Sequence, residues 1–165
     1  MTPVELRWGI KASFREYISS ISDGVEELRD GAALIDGVFA FPRDDAASLP
    51  PESAAESEYR FRGRVDLTGY DGLLGVRIQD PWLQLIETSW SLSVVDPAYR
   101  GDTSRRIRVC SLDREPGPYM SDGTAVFAAR LDGTATRLFD GVYAPGTRLD
   151  SVTVVFADTR VSPKS

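Results

Sequence analysis

The stretch "YRFRGRVDLTGYDGLLGVRIQDPWLQL", residues Tyr59–Leu85, decides the fold class. In its opening run Tyr59, Phe61, Val65 and Leu67 fall on one side and Arg60, Arg62, Arg64 and Asp66 on the other, the period-two pattern of a half-buried antiparallel strand. "GYDG" follows, with Gly69 and Gly72 placed to make a tight turn. Beyond it "LLGVRI" and "WLQLI" give two further strand candidates.

The same rhythm extends in both directions. Upstream lies "ALIDGVFAF", ending at Phe41; downstream lie "WSLSVV" after Trp90, "RIRVCSL" after Arg106, "AVFAARL" after Ala125, "ATRLF" after Ala135 and "VTVVF" after Val152. Turn signals such as "DG" and "APG" separate them, giving about nine strands. The first segment differs. Leu6, Ile10, Phe14, Ile18 and Ile21 are spaced by fours and threes, which places them on one face of a helix, with Tyr17 beside that face. Thr2, Pro3 and Glu5 read as its cap, first-turn proline and capping-box acid, while Gly9 offers a later start; the end falls near Ser22 to Gly24. With no βαβ rhythm, these elements predict a mainly β fold, an antiparallel sandwich or barrel-like domain with one N-terminal amphipathic helix packed against it. "PRDDAASLPPESAAESE", from Pro42 to Glu58, is polar and proline-bearing, and reads as a long, flexible surface loop of a single domain covering residues 1–165.

Composition narrows the chemistry. A chain of 165 residues with 42% hydrophobic and 27% charged residues is an ordinary globular domain. Its net charge of −6 argues against a nucleic acid or an anionic membrane as partner. No run reaches the length of a membrane-spanning helix, and the N-terminus lacks an apolar signal core, so the expected location is cytoplasmic. The single cysteine, Cys110, permits no internal disulfide and sits in an alternating strand as a small core residue. Histidine is absent altogether. That removes the Ser-His-Asp and Cys-His mechanisms, the usual zinc sites and histidine ligation of haem. Carboxylates, tyrosines, hydroxyls, arginines and the backbone remain.

Three segments together resemble the HtaA domain, a module of haem-binding and haem-transport proteins of actinobacteria. "LRWGIKASFREYI", from Leu6 to Ile18, is similar to the family's tryptophan-glycine opening and the tyrosine downstream of it. Tyr59–Leu85 resembles its central hairpin and Asp-Pro corner, and "GVYAPGTRLDSVTVVF", from Gly141 to Phe156, its closing tyrosine and leucine-aspartate pattern. The resemblance implies a β-rich domain that holds haem iron on Tyr17. A phenolate is a hard oxygen donor suited to ferric iron. The resemblance also carries a stacking or hydrogen-bonding role onto Tyr143, and onto Ser22 a hydroxyl that bonds a propionate. Where the family has a histidine in its glycine-flanked turn, this chain has Tyr70.

The expected function is binding of haem, or of a similarly flat hydrophobic molecule, between helix and sheet, with Tyr17, Tyr70 and Tyr143 drawn together. The alternative is a cofactor-independent enzyme, of isomerase or cyclase type, using the same tyrosines on an organic substrate. Asp66, Asp71 and Glu87 are the carboxylates nearest in sequence, and Trp8, Trp82 and Trp90 are expected in core or wall positions. Edge strands permit a dimer without demanding one.

Overall fold

The alternating run that opens at Tyr59 is two strands in two different sheets. The computed structural model describes residues 2–45, 57–115 and 123–157. The elements are β1 (Thr2–Trp8), α1 (Ala12–Ser20), β2 (Val25–Arg29), β3 (Ala33–Ile35), β4 (Val38–Pro42), β5 (Ser57–Arg60), β6 (Arg64–Gly69), β7 (Leu74–Gln79), β8 (Trp82–Ile86), β9 (Ser89–Val95), β10 (Arg106–Arg114), β11 (Thr124–Leu131) and β12 (Arg148–Ala157). Tight 3-10 turns occupy Tyr70–Gly72 and Gly133–Phe139. All pairings are antiparallel, in a large sheet ordered β3-β4-β1-β12-β11-β10-β9-β8-β5 and a small one ordered β2-β6-β7. Gly63 makes the break between β5 and β6. Its φ of 128° is open only to glycine, and a Cβ there would stand 2.9 Å from the Ala32 nitrogen.

The far ends of the large sheet approach each other. Arg43, just beyond β4, forms an isolated bridge with Phe61, just beyond β5, and the Arg62 and Asp44 amides donate to Pro42 and Arg60 carbonyls at 2.9 Å. A single bridge does not close a ladder, so the sheet curls without becoming a barrel. Both sheets turn apolar faces to one core, in which Trp8, Phe39, Phe41, Phe61, Leu67, Ile78 and Phe139 are fully buried. Cys110 is buried in that core, and desolvation pushes its thiol well above the ordinary range, so it packs as a small hydrophobe. Trp82 is half-buried, its ring stacked between the guanidinium groups of Arg60 (4.0 Å) and Arg106 (3.7 Å).

The mainly β architecture with one N-terminal helix is present as expected, and several boundaries are corrected. The helix begins at Ala12. Thr2, Pro3, Glu5 and Leu6 lie in β1, which is paired with β12 on one side and β4 on the other. Two neighbouring ladders outweigh the local helical spacing, which was in part a coincidence of Leu6 in a strand and Ile10 at the corner after it. "ATRLF" belongs to the 3-10 turn, because the Asp132 carboxylate accepts the Thr134 amide at 3.0 Å and starts a helical turn there. Of the loop expected over residues 42–58, residues 46–56 lie outside the described residues. Its margins are sheet: Pro42 ends β4, and Ser57 and Glu58 begin β5.

Candidate functional site

The corner between β1 and α1 aims the helix. Ile10 is fully buried with φ 66°, a left-handed conformation that costs a β-branched residue energy and persists only where its surroundings enforce it. Asp150 on β12 does the enforcing. Its amide donates to the Ile10 carbonyl (2.9 Å), its carbonyl accepts from the Trp8 indole (2.8 Å), and its carboxylate accepts the Ala12 amide (3.1 Å). The helix then buries Phe14 and Ile18 against the core, which turns Tyr17 outward, 46% exposed.

The tip of the β6–β7 hairpin faces Tyr17. Tyr70 and Asp71 both take left-handed backbone angles, φ 51° and 59°. Asp23, just past α1, holds them there: its two carboxylate oxygens accept the Tyr70 amide at 2.9 Å and the Asp71 amide at 2.7 Å. These bonds hold the Asp23 carboxyl below its ordinary pKa. The result is a contact between two phenols, Tyr17 Oη to Tyr70 Oη at 3.0 Å, with ring centroids 6.4 Å apart. The Tyr70 hydrogen bond, more than burial, raises the Tyr17 pKa.

A third wall comes from the chain after the 3-10 turn at Gly133–Phe139. Asp140 (φ 54°) and Gly141 (φ 72°) reverse the backbone and present Val142 and Tyr143. The Tyr143 ring meets Phe14 and Phe139 edge-on, at 6.2 and 5.7 Å between centroids. Lys11 Nζ lies 5.2 Å from its centroid, and Ser13 hydrogen-bonds its hydroxyl; burial nonetheless raises its pKa. Together these walls enclose an open cleft of about 510 Å³, lined mainly by Phe14, Tyr17, Tyr70, Leu74 and Tyr143, with Leu73 and Val142 at its rim. Leu73 is 87% exposed and Val142 62%, an unusual display of aliphatic surface beside two aromatic rings.

Three of the four residues singled out in the sequence, Tyr17, Tyr70 and Tyr143, therefore line one cleft. The fourth, Ser22, is exposed beyond the end of α1 and is not among the lining residues. Its neighbour Asp23 was missed, as was Ser13, one helical turn before Tyr17. The "DG" that follows Ser22 signalled a helix end, and nothing local signalled that the aspartate reaches a turn forty-odd residues away. The carboxylates first considered lie elsewhere. Asp66 is buried between Arg64 and Arg77, both at 2.7 Å, whereas Asp71 and Glu87 are exposed. Among the described residues no group of three or more Asp, Glu, Cys or His side chains gathers to hold a metal.

A search among curated proteins finds no match. Among solved structures, the fold is similar to the C-terminal domain of HtaA from Corynebacterium glutamicum, at 24% identity over 93% of this chain and 96% of that one, with a TM-score of 0.70. The N-terminal domain of the same protein is similar at 21% identity over 95% and 98% of the two chains, also with a TM-score of 0.70. HtaB from Corynebacterium glutamicum, described as a haem-binding protein, is similar at 15% identity over 93% and 91%, with a TM-score of 0.64. The sequence model of the family described as Htaa matches residues 4–155, and the chain belongs to the HtaA family.

Proposed function

We propose that this domain binds haem in the cleft between α1 and the β6–β7 hairpin, with Tyr17 as the residue that would hold the iron. The observation that carries this reading is the hydroxyl pair of Tyr17 and Tyr70, 3.0 Å apart, at the mouth of a cleft whose other walls are aromatic and aliphatic. Such a setting suits a flat, largely apolar ligand with one hard Lewis-acid centre. Membership of the HtaA family and the fold shared with a haem-binding HtaB support the assignment.

The residues present fit the group. Phenolate is an established haem ligand, and Tyr17 is the half-exposed phenol at the cleft mouth with a second hydroxyl directly on its oxygen. Bound haem would supply a ferric centre that stabilises the phenolate. Tyr17 must release its proton to bind, and the Tyr70 contact holds that proton more tightly than in a free phenol. With Tyr17 on the iron, the Tyr70 hydroxyl would be the donor that orients the ligating oxygen. Asp23 keeps Tyr70 in position for that donation, and the Tyr143 ring offers a surface on which a flat ligand stacks. Leu73 and Val142, exposed in the free protein, would lose water-contacting surface, each buried CH₂ contributing about 0.8 kcal/mol. Neither the geometry nor the comparisons favour the enzymic alternative.

Titration of the protein with ferric haem, followed by absorbance beside a Tyr17→Phe variant, tests the reading. The expected result is a saturable Soret shift at about one equivalent that the variant loses, because phenylalanine keeps the packing and removes the ligand. The absence of a saturable shift in the unaltered protein overturns it.

A further inference from the structure

Adjacent residues of a strand face opposite ways, so Leu74 lines the phenolic cleft while Gly75 opens onto the other face of the β6–β7 hairpin. A second cleft of about 390 Å³ lies on that face, between β7, the segment after β9 and the 3-10 turn at Gly133–Phe139. Three arginines reach it from these three elements: Arg77, Arg100 and Arg137. Two are anchored by buried carboxylates. Asp66 accepts Arg77 Nε and Arg64 Nε, both at 2.7 Å, and Asp96 accepts both terminal nitrogens of Arg137, at 3.0 and 2.5 Å. Asp96 also accepts the Ala98 amide at 3.0 Å, which ties the segment carrying Arg100 to the same carboxylate.

The anchoring leaves donors over. Arg77 engages Asp66 through Nε, and its two terminal nitrogens form no hydrogen bond among the described residues. Arg100 is exposed and forms no hydrogen bond or ion pair among them. Three lining guanidinium groups face the two buried carboxylates Asp66 and Asp96, and among the described residues Arg100 is the one left without a partner. Gly75 forms an open floor: a Cβ added there meets nothing nearer than Thr68 Cγ2 at 3.9 Å, while Val76 and Leu138 at its edge are turned into the core.

We propose that this second cleft binds a small organic dianion, with its carboxylate or phosphate oxygens taken by Arg77 and Arg100 and its short body lying over the open floor at Gly75. Arg77, fixed by a buried partner with both terminal nitrogens free among the described residues, is suited to bidentate oxyanion recognition. Arg100 adds a second guanidinium, unpaired among them, and the cleft volume lies in the range of about 300–1,000 Å³ usual for small-molecule sites. The site is separate from the phenolic cleft and does not depend on haem binding there.

Calorimetric titration at constant ionic strength with two probes, inorganic pyrophosphate and glutarate, tests the proposal and separates phosphate from carboxylate chemistry. One saturable site is expected for at least one probe. Arg100→Ser is expected to weaken it roughly tenfold, the loss of one charge-assisted contact. Gly75→Val, a β-branched residue placed on a strand, is expected to abolish it by filling the floor. Neither residue carries a hydrogen-bonded side chain in the fold, and circular dichroism checks that each variant keeps its structure. Failure of both probes to saturate overturns the proposal. So does binding that persists unchanged in both variants, which would be diffuse attraction to arginine elsewhere on the surface.

Discussion

The two clefts on either side of the β6–β7 hairpin are built to opposite rules. The phenolic cleft has one carboxylate, Asp140, among rings and aliphatic side chains, and the Tyr17 and Tyr70 hydroxyls bond each other. The other is walled by three arginines, two of which, Arg77 and Arg137, have carboxylate partners buried beneath them. One strand supplies both, since β7 sends Leu74 to the first and Gly75 and Arg77 to the second. A slip of a single residue in the β6–β7 register would exchange the two sets, so the turn that fixes this register matters to both clefts. That turn is the one Asp23 grips.

The largest effect expected on this contrast comes from Phe14→Ala. Phe14 is buried and packs edge-on against Phe139 at 5.8 Å and Tyr143 at 6.2 Å, so its removal opens a cavity beneath the phenolic cleft alone. Denaturant unfolding should show a loss of about 3–5 kcal/mol. The ion-paired cleft should keep its titration behaviour under folding conditions, and a loss of both would mean that the two share one support.

Asp96→Ala strikes the opposite side. It strands Arg137 and frees the Ala98 amide, and with Arg137 half exposed the expected loss is about 1–3 kcal/mol. Its pH dependence gives a second check. Hydrogen bonds from Arg137, foremost, hold the Asp96 carboxyl below its ordinary value, against the opposing pull of burial. A depressed carboxylate stabilises the fold above the unfolded pKa, about 4, and the contribution is lost as pH falls through the lowered folded value. The gap in stability between the protein and the variant should therefore narrow in acid; a gap that stays constant would show that packing, rather than the ion pair, is what the aspartate supplies.

The sheet was legible because alternation is local. "WLQLI", "WSLSVV" and "VTVVF" lie in β8, β9 and β12, and "LLGVRI" lies in β7 from its second leucine, Leu74, onward. What escaped was long-range. Nothing near Gly63 says that Phe61 bridges to Arg43 while Val65 enters another sheet, and nothing near Leu6 says that β4 and β12 compete for it. The site divided in the same way. Tyr17, Tyr70 and Tyr143 were marked by family resemblance, whereas Asp23 and Asp150 act through backbone bonds to distant segments and carry no pattern of their own.

Asp23→Ala tests that hidden support. The exposed turn should loosen with little change in global stability, while haem affinity falls by roughly tenfold or more, as for other residues that orient a ligand from behind. The hold should also weaken in acid, because a carboxyl with a lowered pKa keeps its grip until pH drops through that lowered value. Haem titration of Asp23→Ala beside the unaltered protein checks this, and equal affinities would mean that the left-handed turn holds itself.

The smallest change is Tyr70→Phe, which removes one oxygen and leaves both clefts their shape. Unfolding should be nearly unaffected, since an exposed hydroxyl pair contributes little. Two spectroscopic effects then pull in opposite directions. Without the Tyr70 hydrogen bond the Tyr17 phenol should ionise more readily, moving back toward the ordinary value, visible as tyrosinate absorbance appearing at lower pH. Easier ionisation by itself favours binding. The bound state, however, loses the hydroxyl that hydrogen-bonds and orients the ligating oxygen, and losing such an outer partner typically weakens metal binding. The second effect should prevail, so haem is expected to bind more weakly even as Tyr17 becomes the better acid. Tighter binding in Tyr70→Phe would place Tyr70 as a brake on Tyr17 rather than its support.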